Sequence, residues 1–156
     1  MPVIVVGADT DVGRAVVDGL VEPGREVRVF VTDLDAATEL RRAGVKVALG
    51  DVSDDSHVQG ASINCFTAVL VAEAARDSRE RSFASSEEQV LRAWANAVAA
   101  SGVTRVIWIH DGVTPPVEVE EVATVSPDHP RLVDEVVALD DAHSLAQERS
   151  ARDGGS

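Results

Sequence analysis

Residues 2 to 13, PVIVVGADTDVG, set a short run of β-branched side chains directly against a loop bracketed by two glycines. An apolar run without polar alternation is the pattern of a strand buried on both faces. Behind the loop, Val12, Ala15, Val16, Gly19 and Leu20 recur at helical spacing until Pro23-Gly24 ends the element. Strand, glycine loop and helix in this order constrain the fold more than any other stretch, because parallel sheets are built from that unit. The loop also poses a chemical question. A phosphate cradle needs glycine where backbone and phosphate come close, yet Thr10 stands in the middle, with Asp9 and Asp11 on either side of it.

The unit then repeats. Residues 26 to 31, EVRVFV, alternate into a second strand, and Asp33 or Asp35 is placed to cap a helix with Ala36, Ala37, Leu40 and Ala43 on its apolar face. Val45, Val47, Ala48 and Leu49 form a third strand ending at Gly50-Asp51, and residues 51 to 61 read as a short helical turn or loop. Residues 67 to 71, TAVLV, are the fourth strand. The charged segment 73 to 85 reads as an exposed loop or lid with partial helix. A long helix from about 86 to 101 carries Val90, Leu91, Trp94, Ala97 and Val98 on one face, and residues 103 to 109, VTRVIWI, are the fifth strand.

Five strands separated by helical connections predict one domain of α/β class, a doubly wound parallel sheet between helical layers. The strand ends at Gly7, Thr32, Gly50, Ala72 and His110 then gather on one edge, where ligands bind near the reversal of strand order. Beyond Gly112 the pattern loosens: Pro115-Pro116 opens an acidic stretch, residues 122 to 125 suit a small edge strand, and Leu132, Val136, Leu139, His143 and Ala146 mark a final helix. The domain is expected over residues 1 to 148, with a flexible tail over 149 to 156.

Charge narrows the partners. A net charge of −13 disfavours nucleic acid, whose binding draws on a basic face. No apolar run approaches the roughly 20 residues of a membrane span, and the first residues lack the basic flank of a secretory leader, so a cytoplasmic protein is expected. A single cysteine, Cys65, suits a reducing compartment and reads as a buried, inert thiol. The four histidines fall in unrelated segments, and no metal site is expected.

GADTDVG, REVRVFVTD (25 to 33), AGVKVALGDVSD (43 to 54) and ASGVTRVIWIHDG (100 to 112) together resemble the atypical short-chain dehydrogenase/reductases, in particular the NmrA-like and NAD(P)H-binding Rossmann proteins. The resemblance covers residues 1 to 112 and implies a three-layer α/β/α Rossmann-like fold. It further implies that an NAD or NADP site, if retained, involves Gly7, Ala8, Thr10, Asp11, Val12 and Gly13 of the loop, Thr32 and Asp33 after the second strand, and Asp51 and Val52 after the third. Against the family pattern GATGxxG the middle glycine is missing. Each loop carboxylate facing a diphosphate would oppose it by roughly 3 to 4 kcal/mol at about 4 to 6 Å and an effective dielectric of about 20. A contrary reading has Thr10 or Asp11 simply capping the first helix. Thr32 replaces the arginine common in NADP-binding relatives, while Asp33 is in range to hold ribose hydroxyls or to cap a turn.

Classical members pair tyrosine and lysine in YxxxK. This chain contains no tyrosine, and Lys46 falls inside the third strand. No catalytic residues are therefore assigned, and the expected function is that of a dinucleotide-binding-like pseudoenzyme acting as a regulator or sensor. Two alternatives stand beside it: a scaffold binding no nucleotide, and a small reductase using His110 or a residue of the 73 to 85 loop. Relatives continue further to build a substrate cleft, so the last helix or a sheet edge is expected to form a homodimer.

Overall fold

The computed structural model describes residues 2–76 and 86–145. Six strands lie in one sheet: β1 (Val3–Val6), β2 (Val27–Val31), β3 (Lys46–Leu49), β4 (Thr67–Val71), β5 (Arg105–Ile109) and β6 (Glu121–Val125). Their order is β3-β2-β1-β4-β5-β6, and every neighbouring pair is parallel. The helices are α1 (Asp11–Leu20), α2 (Leu34–Arg42), α3 (Asp55–Ser62), α4 (Glu87–Ala100) and α5 (Leu132–Asp141), with a 3-10 turn at Ala72–Arg76. This is the Rossmann-like doubly wound sheet that the alternating pattern predicts.

The unbroken VIVV run earns its central place by burying all four side chains, paired to β2 on one side and β4 on the other. Alternation divides them between two cores. Val3 and Val5 join Val16, Leu20, Leu40 and Leu139 beneath α1, α2 and α5, whereas Ile4 and Val6 join Val58, Val90, Trp94 and Trp108 beneath α3 and α4. Strand order reverses between β1 and β4, so the ends of these two strands and the start of α1 define the cleft edge.

Several elements differ from the sequence expectation. The segment after β3 holds a full helix, α3, capped by Asp54. The edge strand is β6, parallel to β5 and one residue longer at its start than predicted. Helix α5 ends at Asp141 because Ala142 turns extended, so His143 stands exposed beyond it and off its apolar stripe. That stripe is covered within the chain, where α5 rests on α1 and a side chain at Gly19 would collide with Val133. The expected loop at 73 to 85 is described only to Arg76, and Ala146 and the expected tail at 149 to 156 lie outside the described residues. Among the described residues no helix is long and apolar enough to cross a membrane.

Candidate functional site

The first turn of the site is built by two close approaches. Gly7 leaves β1 at φ 94°, donates its N–H to the Phe30 carbonyl at 3.0 Å, and lies so near the 3-10 turn that a Cβ would come within 2.7 Å of Ala74 Cβ. Gly13 lets α1 sit directly on the loop, since a Cβ there would be 2.1 Å from the Gly7 carbonyl oxygen. Between them Thr10 is extended, at φ −92° and ψ 159°, a conformation open to any residue. Its hydroxyl donates to the Gly7 carbonyl at 2.8 Å and accepts from the Gly13 N–H at 3.0 Å. Thr10 therefore closes the loop onto itself as the cap of α1, and the absent middle glycine costs no backbone strain. Asp11 opens the helix and is exposed.

Asp9 is the residue whose place the sequence does not reveal. Its Oδ2 accepts the Thr32 N–H at 2.9 Å and the Asp33 N–H at 3.2 Å, so the carboxylate is drawn across to the end of β2. The expectation that it faces a diphosphate at the mouth of α1 is corrected accordingly: backbone donors hold it at the neighbouring strand. Asp33, in turn, spends its own carboxylate on the Ala36 N–H at 3.1 Å as the cap of α2. Thr32 Oγ1 is buried beside this junction without a hydrogen-bond partner. Asp51 accepts from the N–H and hydroxyl of Ser53, at 2.8 and 2.6 Å, and the buried Val52 gives its carbonyl to Trp94 Nε1 at 2.7 Å. The structure thus brings Gly7, Ala8, Thr10, Asp11, Val12, Gly13, Thr32 and Asp33 to one junction, joined by Asp9. Asp51 and Val52 follow β3, one strand further out.

His110 directly follows β5, on the other side of the reversal. It lines a cavity of about 270 Å³ shared with Val12, Val71, Ala72, Glu73 and Asp111, and a larger one of about 550 Å³ shared with Arg76, Leu91, Arg92, Val113 and Pro116. Its Nδ1 is buried without a partner. Asp111 accepts a hydrogen bond from Ser126 Oγ at 2.6 Å, in keeping with adjacent strand-end residues that face apart. In sequence the Pro115-Pro116 segment marks only the start of a looser stretch; its contribution to the larger cavity depends on a fold-back that carries no local pattern.

The other candidate groups are engaged elsewhere. Lys46 pairs with Glu26 at 2.5 Å on the edge strand β3, away from the strand reversal. Cys65 is buried, and burial pushes its thiol up while Arg28, 3.6 Å from Sγ, pulls it back. That arginine arrives from β2, 37 positions away, which no local pattern around Cys65 announces.

Residues 7–138 match the family described as NAD(P)H-binding. The chain belongs to that NAD(P)H-binding family. Solved structures of the same fold include the triphenylmethane reductase of Citrobacter sp., with a TM-score of 0.59 and 15% identity over 90% of this chain and 46% of that one. The NADPH-dependent quinone oxidoreductase QOR2 of Escherichia coli, complexed with NADPH, gives a TM-score of 0.57 and 19% identity over 69% of this chain and 36% of the other. The anaerobillin reductase ChuY of Escherichia coli O157:H7 gives 0.54 and 23%, over 70% and 50%. This family member therefore spans half or less of the length of these neighbours, and the likeness concerns the fold. No curated protein sequence matches it.

The junction fits the family's ligand class. The close Gly7–Gly13 approach brings loop and helix together, with the Thr10 hydroxyl taking the Gly13 N–H, and the Asp11 and Val12 N–H groups that open α1 have no acceptor within their own helix. A diphosphate held there would meet backbone donors, with Asp9 engaged at the adjoining strand.

Proposed function

We propose that this member of the NAD(P)H-binding family takes a nicotinamide dinucleotide along the edge formed by β1, β2, β4 and β5, and acts through that binding as a regulator or sensor. The loop geometry carries the reading: Thr10, as the cap of α1, takes only the Gly13 N–H, and Asp9 is tied to Thr32 and Asp33, away from the Asp11 and Val12 amides. In this reading Gly7, Ala8 and Gly13 give the close approach, the amides of Asp11 and Val12 meet phosphate, and Thr32, Asp33, Asp51 and Val52 flank the adenosine half. A bound dinucleotide would supply a redox-active ring. The absence of tyrosine from the sequence and the place of Lys46 on β3 support a role without the YxxxK proton relay.

A second reading, a small reductase, is favoured by one observation. His110 stands at the junction of both cavities with a buried nitrogen free of protein partners, as a proton donor to a reduced substrate would. Turnover of NADH and NADPH with a panel of quinone and carbonyl acceptors separates the two. Saturable dinucleotide binding without turnover supports the regulator; enzymatic turnover that His110→Phe abolishes while binding persists supports the reductase and overturns the first reading.

A further inference from the structure

We propose that Asp9, and not the strand-end acid Asp33, selects the dinucleotide, directing this chain to NAD(H) and against NADP(H); this rests on the dinucleotide reading above. In a Rossmann-type sheet the ribose nearest the adenine approaches the end of β2, where a carboxylate accepts its hydroxyl hydrogens or a cation meets a 2′-phosphate. Asp33 occupies the expected position in sequence but uses its carboxylate to cap α2. Asp9 reaches the same strand end from the loop, and the Thr32 and Asp33 amides hold its Oδ2 there.

That arrangement has two consequences. A carboxylate has about four acceptor positions, and two amides fill only part of them, so ribose hydroxyls have an acceptor already fixed in place. The same two amides are the donors a 2′-phosphate would need, and they are spent on an anion that repels it.

Among the described residues, the basic side chains of α1 and α2 do not reverse this. Arg14, the one basic residue of α1, lies between Asp18 at 3.3 Å and Glu39 at 3.7 Å. Arg41 and Arg42 are in the last turn of α2, at the end away from Asp33. The position after β2 that would carry an arginine is Thr32.

The test is calorimetric titration of the full chain and of Asp9→Asn and Asp9→Ser with NADH and NADPH. Asp9→Asn keeps a carbonyl acceptor for the amides and removes the charge, and thermal melts verify that each variant is folded. The proposal expects wild type to favour NADH by about tenfold or more, and both variants to lose NADH affinity by about tenfold while gaining NADPH. Equal or NADPH-favoured binding by wild type overturns the assignment and leaves the dinucleotide reading standing, as does an unchanged ratio in both folded variants. Failure of wild type and variants to bind either dinucleotide overturns both.

Discussion

Arg105 of β5, fully buried, donates from Nη2 to Glu121 of β6 at 3.1 Å and from Nη1 to the Leu139 carbonyl at 2.6 Å. One guanidinium thereby joins the last two strands to the final turn of α5, and it lies 5.1 Å from the Phe66 ring centroid. Removing it leaves Glu121 and two carbonyls short of donors in a low-dielectric site. Arg105→Ala is expected to cost about 3 to 5 kcal/mol in urea unfolding. Arg105→Lys, which keeps charge but lacks the fork, is expected to recover only part of that loss. A loss no larger than a surface substitution would show that α5 is anchored by its apolar face alone.

The same pair sets an acid limit. Burial pushes the Glu121 carboxyl up, but the Leu145 N–H, the Arg105 guanidinium and His143 outweigh it, leaving the group below the ordinary value of 4.5. Below that value the unfolded chain binds the proton more readily than the folded one. Its stabilisation is therefore complete above 4.5 and is lost as pH falls through the lowered native value. Urea midpoints followed from neutrality into that acid range should fall less steeply for Glu121→Gln than for wild type; parallel curves would remove Glu121 from the account.

Trp94 Nε1 ties α4 to the Val52 carbonyl. Trp94→Phe removes the donor with modest loss of volume and is expected to cost about 1 to 3 kcal/mol, whereas Trp94→Ala adds a cavity and should cost about 3 to 5 kcal/mol. Chemical unfolding followed by circular dichroism measures both. Equal costs for the two variants would mean that the hydrogen bond, and not packing, holds α4.

Thr10 is expected to act on stability more than on ligand. Thr10→Ala loses the α1 cap and should cost about 1 kcal/mol, Thr10→Ser should retain most of it, and neither should abolish dinucleotide binding. Thermal melts and titrations read the two effects separately. Loss of binding in a folded Thr10→Ser variant would place the Thr10 methyl in the ligand's path.

Most of this architecture was legible because it is written at short range. The VIVV run, the helical spacing behind it and the capping residues Thr10, Asp33 and Ser86 act within a few positions of themselves. Helix α3 reads in sequence only as a short helical turn or loop, because only Val58 and Ser62 of its eight residues are buried, too few to mark a stripe. His143 continued the spacing of Leu139, but the extended Ala142 ends the helix first. Asp9 was visible as an acid and not as a strand partner: Thr32 lies 23 positions away, and the receiving groups are backbone amides, which no side-chain pattern announces. The role of Arg105 within VTRVIWI has no local signal for the same reason, since two of its acceptors are carbonyls contributed by α5.

The most direct measurement is calorimetric titration of the full chain and of Gly13→Ala with NADH and NADPH. A Cβ at position 13 would press into the Gly7 carbonyl and displace the loop from α1. Wild type is expected to bind a dinucleotide saturably at micromolar affinity, with at least a tenfold loss in Gly13→Ala that still melts cooperatively. No heat from wild type at millimolar dinucleotide, or full binding by Gly13→Ala, would contradict the claim that this loop is a working phosphate cradle.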